Sequence, residues 1–76
     1  MKWEQRITFD PDVMGGKACI RHMRVTAGMI LGLLAAGRTH EEILRAYPYL
    51  EADDIRGVLD YAAWRAEERE LPLAVG

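Results

Sequence analysis

Residues 27–36, Ala-Gly-Met-Ile-Leu-Gly-Leu-Leu-Ala-Ala, carry no charge and no side-chain hydrogen-bonding group. A helix of that composition has no polar face to give to water, so it is expected to be buried on all sides. In a chain of 76 residues there is little to cover it with. So short a domain buries only about 60–65% of the surface its unfolded form exposes. The cover must come from the other elements of the chain and, if these fall short, from a second subunit. Thr26 is placed to cap the helix, and Gly37 to end it with a left-handed residue.

Two more helices follow. Thr39 and Glu42 have the spacing of a capping box, so a second helix starts at His40, presents Ile43, Leu44 and Tyr47 on one face, and ends at Pro48. A third helix is expected over residues 52–69, with Ile55, Leu59, Ala62 and Ala66 as its apolar stripe and Val58 widening it. Asp53 and Asp54 suit its first turn, where the helix dipole favours carboxylates. Gly57, inside it, marks a close helix–helix approach. Tyr61, Trp64 and Glu68 fall beside the stripe.

The N-terminal part reads differently. Arg6-Ile7-Thr8-Phe9 alternates like a short strand, Asp10-Pro11-Asp12 ends it, and Gly15-Gly16 makes a turn. Residues 18–20 or 23–25 are extended, and one of the two pairs with residues 6–9. A two-stranded hairpin is not stable alone in water, so it must lie on the helices or on another chain. The expectation is one mainly α domain over residues 1–76: an extended arm with the Gly-Gly turn at 1–26, a three-helix core at 27–70 and an apolar tail at 71–76.

Charge divides the same way. Residues 1–26 hold five cations against three carboxylates, and residues 27–76 five arginines against nine carboxylates, within a net charge of −2. Arg6, Lys17, Arg21 and Arg24 therefore form the candidate phosphate-contacting set. The alternative is that they are solvated, or pair with Asp10, Asp12 and the carboxylates of the third helix. Tyr61 and Trp64 beside an apolar tail form a candidate partner surface, with packing inside the domain as the alternative.

Other chemistry is poorly supported. Cys19 is the lone cysteine, which rules out an internal disulfide and fits a reducing cytoplasm. Cys19-x-x-His22 is half a zinc site without a second pair, and His40 stands apart. Gly15-Gly16-Lys17 lacks the spacing, the following Ser/Thr and the helix of a phosphate loop. No acid–base pair converges, so the expectation is a non-enzyme with no metal and no cofactor. No apolar run approaches the roughly 20 residues of a membrane span, and no signal-peptide core is present.

The ordered blocks of the chain resemble a known family. Asp10-Pro11, Gly16-Lys17-Ala18-Cys19-Ile20-Arg21-His22-Met23-Arg24-Val25, Ile30 with Leu34, Gly37-Arg38-Thr39-His40-Glu41-Glu42-Ile43-Leu44, Tyr47-Pro48 and Asp54-Ile55 to Leu59-Asp60-Tyr61-Ala62 look like the domain of unknown function 433 (DUF433) family, over residues 7–66. Its pattern is broken in two places. Ala18 stands where the family has proline, and His22-Met23 where it has Gly-Thr. The resemblance implies a homeodomain-like three-helix core with a helix-turn-helix, after a small β element. It also implies a bacterial antitoxin of a toxin–antitoxin pair whose toxin is a PIN-like ribonuclease.

In a helix-turn-helix the third helix enters the major groove with its N-terminal end. Here that end carries Glu51, Asp53 and Asp54, which phosphates repel, and Arg56 alone is suited to DNA. The expected function is thus an antitoxin-like homodimer that binds the toxin through Tyr61, Trp64, Arg65, Glu68, Arg69, Leu71 and Leu73, with Arg65 or Arg69 offering a charge to the toxin's acidic metal site. The same dimer is expected to bind its operator through Arg6, Lys17, Arg21, Arg24 and Arg56. The alternative is a stand-alone DNA-binding transcriptional regulator with no toxin partner.

Overall fold

The two strongest helix signals both operate through backbone amides. The Thr26 hydroxyl accepts from the Met29 amide at 3.0 Å, and α1 runs from there over Ala27–Ala35. Thr39 and Glu42 form the reciprocal capping box, at 3.1 and 2.9 Å, and α2 spans His40–Ala46. Gly37, at φ 90°, supplies the left-handed residue that stops α1. After the turn at residues 47–51, α3 spans Ala52–Glu68. The structure, a computed structural model, describes residues 3–68. It is mainly α, with a short N-terminal β element.

That element is smaller than the alternation suggests. β1 is Ile7–Thr8 and pairs antiparallel with β2, Cys19–Ile20, in the register Ile7 to Ile20 and Thr8 to Cys19. The chain then doubles back. Ile20 N–H donates to the Val25 carbonyl, and Ala27 N–H to the Ala18 carbonyl, so residues 25–26 lie along the other edge of β2. Between β1 and β2 the Gly-Gly turn forms as expected. Met14, Gly15 and Gly16 have φ of 52, 67 and 83°, about one turn of left-handed backbone.

The core gathers residues from every element: Ile7 and Ile20 of the sheet, Val25, Ala27 and Ile30 at the start of α1, Ile43 of α2, Leu50, and Ile55, Val58 and Tyr61 of α3. Three expectations need correction. First, among the described residues α1 is not covered on all sides. Only Ala27 and Ile30 are buried, while Gly28, Met29, Gly32 and Ala35 face solvent. The two other described helices, one of them seven residues long, do not have the surface to wrap it.

Second, the buried face of α3 is Asp54, Ile55, Gly57, Val58 and Tyr61, rotated from the expected stripe; Leu59 is 41% exposed and Ala66 is exposed. Third, Gly57 does mark a close approach, but not of another helix. A Cβ there would stand 2.8 Å from Arg6 Cβ, so the stem of Arg6 lies across the bare helix backbone.

Candidate functional site

Arg6 and Arg21 come from neighbouring positions of the sheet, since Arg21 N–H donates to the Arg6 carbonyl at 3.0 Å. Both side chains converge on the first turn of α3. Arg21 donates from Nε to Asp54 Oδ1 at 3.0 Å and from Nη2 to Oδ2 at 2.7 Å, and again from Nη2 to the Tyr49 carbonyl at 3.1 Å. Arg6 Nη1 donates to Asp54 Oδ1 at 3.1 Å and to Glu51 Oε1 at 2.6 Å, and its Nη2 lies 3.6 Å from Asp53.

Asp54 is fully buried. Its fourth bond comes from the Glu51 amide at 2.8 Å, the returning half of a capping box at the start of α3. Four donors on two oxygens match the acceptor capacity of a carboxylate. Burial pushes the Asp54 carboxyl up, but the hydrogen bonds from Arg21, the Glu51 amide and Arg6 outweigh it, and its pKa lies below the usual carboxylate value. The bonds to Glu51 and Asp54 raise Arg6, and the bonds to Asp54 raise Arg21.

Two of the five candidate nucleic-acid residues are therefore ion-paired within the fold. Arg6 and Arg21 neutralise the carboxylates that would repel phosphate, and in doing so lose most of their own attraction for it. Their place is the alternative noted from the sequence, pairing with the helix carboxylates. Lys17, Arg24 and Arg56 are exposed and make no ion pair among the described residues.

The partner-surface candidates also divide. Tyr61 is buried, and Trp64 is 44% exposed. Both join an aromatic cluster with Trp3 and Phe9. Trp3 lies 5.0 Å from Tyr61 and 5.1 Å from Trp64, and Phe9 lies 5.9 Å from Tyr61, edge or tilted in each case. Phe9 is 52% exposed, so the cluster has a solvent-facing side. Trp3 and Phe9 lie far from α3 in sequence, and only the folding of the arm over the helix brings them to it. Arg65 is exposed on α3 and, with Lys17, lines a groove of about 590 Å³ between α1 and α3. Glu68 is the last residue of α3, and Arg69, Leu71 and Leu73 lie outside the described residues.

Cys19 is buried in β2, whereas His22 is exposed, its Nδ1 lying 3.7 Å from Asp10. Among the described residues no group of three or more His, Cys, Asp or Glu is placed to hold a metal ion. No described helix is long and apolar enough to cross a membrane.

Uncharacterized protein y4eO of Sinorhizobium fredii (strain NBRC 101917 / NGR234) is 38% identical to the chain over 56 residues, which make up 74% of this chain and 25% of that protein. The chain thus spans about a quarter of that relative's length. No solved structure matches it. The model of the family described as "Protein of unknown function (DUF433)" matches residues 7–62, a stretch that holds both strands, Arg21 with Asp54, and all of α1 and α2, Arg6 standing just before it, and the chain belongs to that family.

Proposed function

We propose that the chain is the antitoxin-like component of a toxin–antitoxin pair, binding and neutralising a PIN-like ribonuclease as a homodimer, with autoregulation at its operator as a second role. The observation that supports protein binding over DNA binding is the division of the charged and aromatic residues. Arg6 and Arg21, half of the basic set of the N-terminal arm, are held by α3's own carboxylates. Exposed aromatic surface instead collects around the second half of α3, at Trp64 and Phe9, beside Arg65. Aromatic and arginine side chains are the types that dominate protein interfaces.

Neutralisation in this reading is occlusion. The surface around Trp64 seats on the nuclease, and Arg65 or Arg69 offers a guanidinium to the cluster of carboxylates that binds the nuclease's metal. Operator contact falls to the exposed Arg24 and Arg56. The test is to co-express the chain with the product of the gene adjoining its own and measure RNA cleavage by the purified pair. Inhibition that Trp64→Ala weakens is expected. Absence of any association with that product would end the antitoxin reading.

A further inference from the structure

The groove between α1 and α3 is unlike the rest of the surface. Its lining is mainly small or apolar: Ala18 beside β2, Ala62 and Ala66 on α3, with Leu31 of α1 and Tyr61 as its larger side chains. Among the described residues two charges border it, Lys17 and Arg65, from elements far apart in sequence, and both are positive. No carboxylate of the described residues lines it, although the chain as a whole is acidic. Neither cation has an ion-pair partner among the described residues, in contrast to Arg6 and Arg21.

We propose that this groove receives an amphipathic helix of a partner protein, an apolar stripe flanked by carboxylates, with the carboxylates paired to Lys17 and Arg65. This deepens the partner-binding reading above by naming the chemistry of the segment that docks. A helix fits because the groove already runs between two helices, and small side chains on α3 let a third approach to packing distance while Leu31 and Tyr61 interdigitate with its larger residues. The charge of the lining selects the sign of the flanks. A second copy docked groove to groove does not suit it, because on the two-fold axis Lys17 and Arg65 would meet the like-charged pair of the other groove. Nucleic acid does not suit it either, because two cations around an alanine-lined, largely apolar groove provide neither a phosphate track nor an exposed stacking platform.

The experiment uses the whole chain, isotope-labelled, and three synthetic helical peptides with leucines at i, i+4 and i+7. Their flanks carry glutamate, glutamine or lysine. Amide shifts on titration should map to Ala18, Leu31, Ala62 and Ala66 with the glutamate peptide only. The double variant Lys17→Glu, Arg65→Glu should bind it on the order of tenfold more weakly and should gain binding of the lysine peptide. Both positions are exposed, so the variant should keep its fold, which circular dichroism checks. Equal binding of the glutamate and glutamine peptides, shifts on another face, or no binding would overturn the proposal. The readout is independent of the nuclease. If the nuclease is inhibited equally by the double variant, the groove proposal fails and the antitoxin reading stands. If the glutamate peptide binds as described and no nuclease associates, the reverse holds.

Discussion

Arg21 holds Asp54 by both oxygens, Nε to Oδ1 and Nη2 to Oδ2, across 33 positions of sequence. The contact ties the hairpin after β2 to the first turn of α3, and Arg6 adds a second tie from beside β1. Replacing Asp54 with asparagine removes the negative charge the two guanidinium groups share and turns one acceptor oxygen into a donor beside them; Arg6 keeps Glu51, whereas Arg21 loses its carboxylate partner. Asp54→Asn should therefore destabilise the chain by about 3 kcal/mol, the lower end for breaking a buried pair, because both arginines can partly reach water. Arg21→Lys should also be costly, since an ammonium cannot reproduce the forked contact. Urea unfolding measures both. A change below about 0.5 kcal/mol in Asp54→Asn, the range of ordinary surface substitutions, would show that the centre contributes little.

The same centre sets the acid limb of stability. Asp54 has a folded pKa below its ordinary value because the bonds from Arg21, the Glu51 amide and Arg6 overcome the effect of burial. A carboxyl lowered on folding binds fewer protons in the folded state than in the unfolded one. Its contribution is then complete above the unfolded value, about 3.9, and is lost as pH falls through the lower folded value. Glu42, lowered by its bond from the Thr39 amide, acts in the same direction at an exposed cap. The arginines stay charged throughout. Urea midpoints from about pH 6 to about pH 3 should fall, and the gap between the chain and its Asp54→Asn variant should narrow over the acid part of that range. A constant gap would mean that the charge of Asp54 is not what stabilises.

How much of this could be read in the sequence depended on the distance between partners. The caps of α1 and α2 and the stop at Gly37 each lie within a few positions of the amides they serve, so spacing alone identified them. Asp54 has a local reading too, as a dipole-favoured first-turn carboxylate, and that reading concealed its burial. Its donors arrive from 33 and 48 positions away, and nothing local distinguishes them from other arginines. The buried face of α3 departs from its hydrophobic stripe for a related reason. Its buried side includes an aspartate and a glycine, which a hydrophobic stripe passes over in favour of Leu59. Asp54, Val58 and Tyr61, at i, i+4 and i+7, were the available signal. The groove between α1 and α3 needed Lys17 and Arg65 placed side by side, which requires the fold first.

Gly57 and Gly32 provide a paired test of this packing. Both lie inside helices, where alanine is favoured over glycine by about 1 kcal/mol. At Gly32 an added Cβ meets nothing within 4 Å, so Gly32→Ala should stabilise by about 0.5–1 kcal/mol. At Gly57 it would stand 2.8 Å from Arg6 Cβ and 3.2 Å from Cγ. These are root atoms of a side chain whose far end is fixed on Glu51 and Asp54, so relief requires moving the arm. Overpacking of this kind costs about 1–3 kcal/mol, and Gly57→Ala should be net destabilising despite its better propensity. Opposite signs in urea unfolding are expected. A stabilising Gly57→Ala would show that the Arg6 stem does not lie on the helix.

His22 stands where the family pattern has glycine, and its backbone explains that pattern. Arg21 and His22 have φ of 43 and 61°, and the Met23 amide closes the turn onto the Ile20 carbonyl at 2.8 Å. Positive φ at both central residues is the sign pattern of a type I′ turn, which favours Gly at the second of them. An L-residue held there costs about 1–2 kcal/mol in backbone strain. Glycine removes that strain but loses about 0.4–1 kcal/mol through the greater freedom of the unfolded chain. The His22 amide, which donates to the Thr8 hydroxyl at 2.8 Å, survives the substitution. The exposed imidazole gives up only a long contact with Asp10, and surface pairs of that kind contribute little. His22→Gly should thus stabilise by about 0.5 kcal/mol, with most of the gain in the unfolding rate if the turn tightens late in folding. The midpoint of urea unfolding decides it: a loss of stability would mean that the imidazole holds the arm in a way its geometry does not suggest.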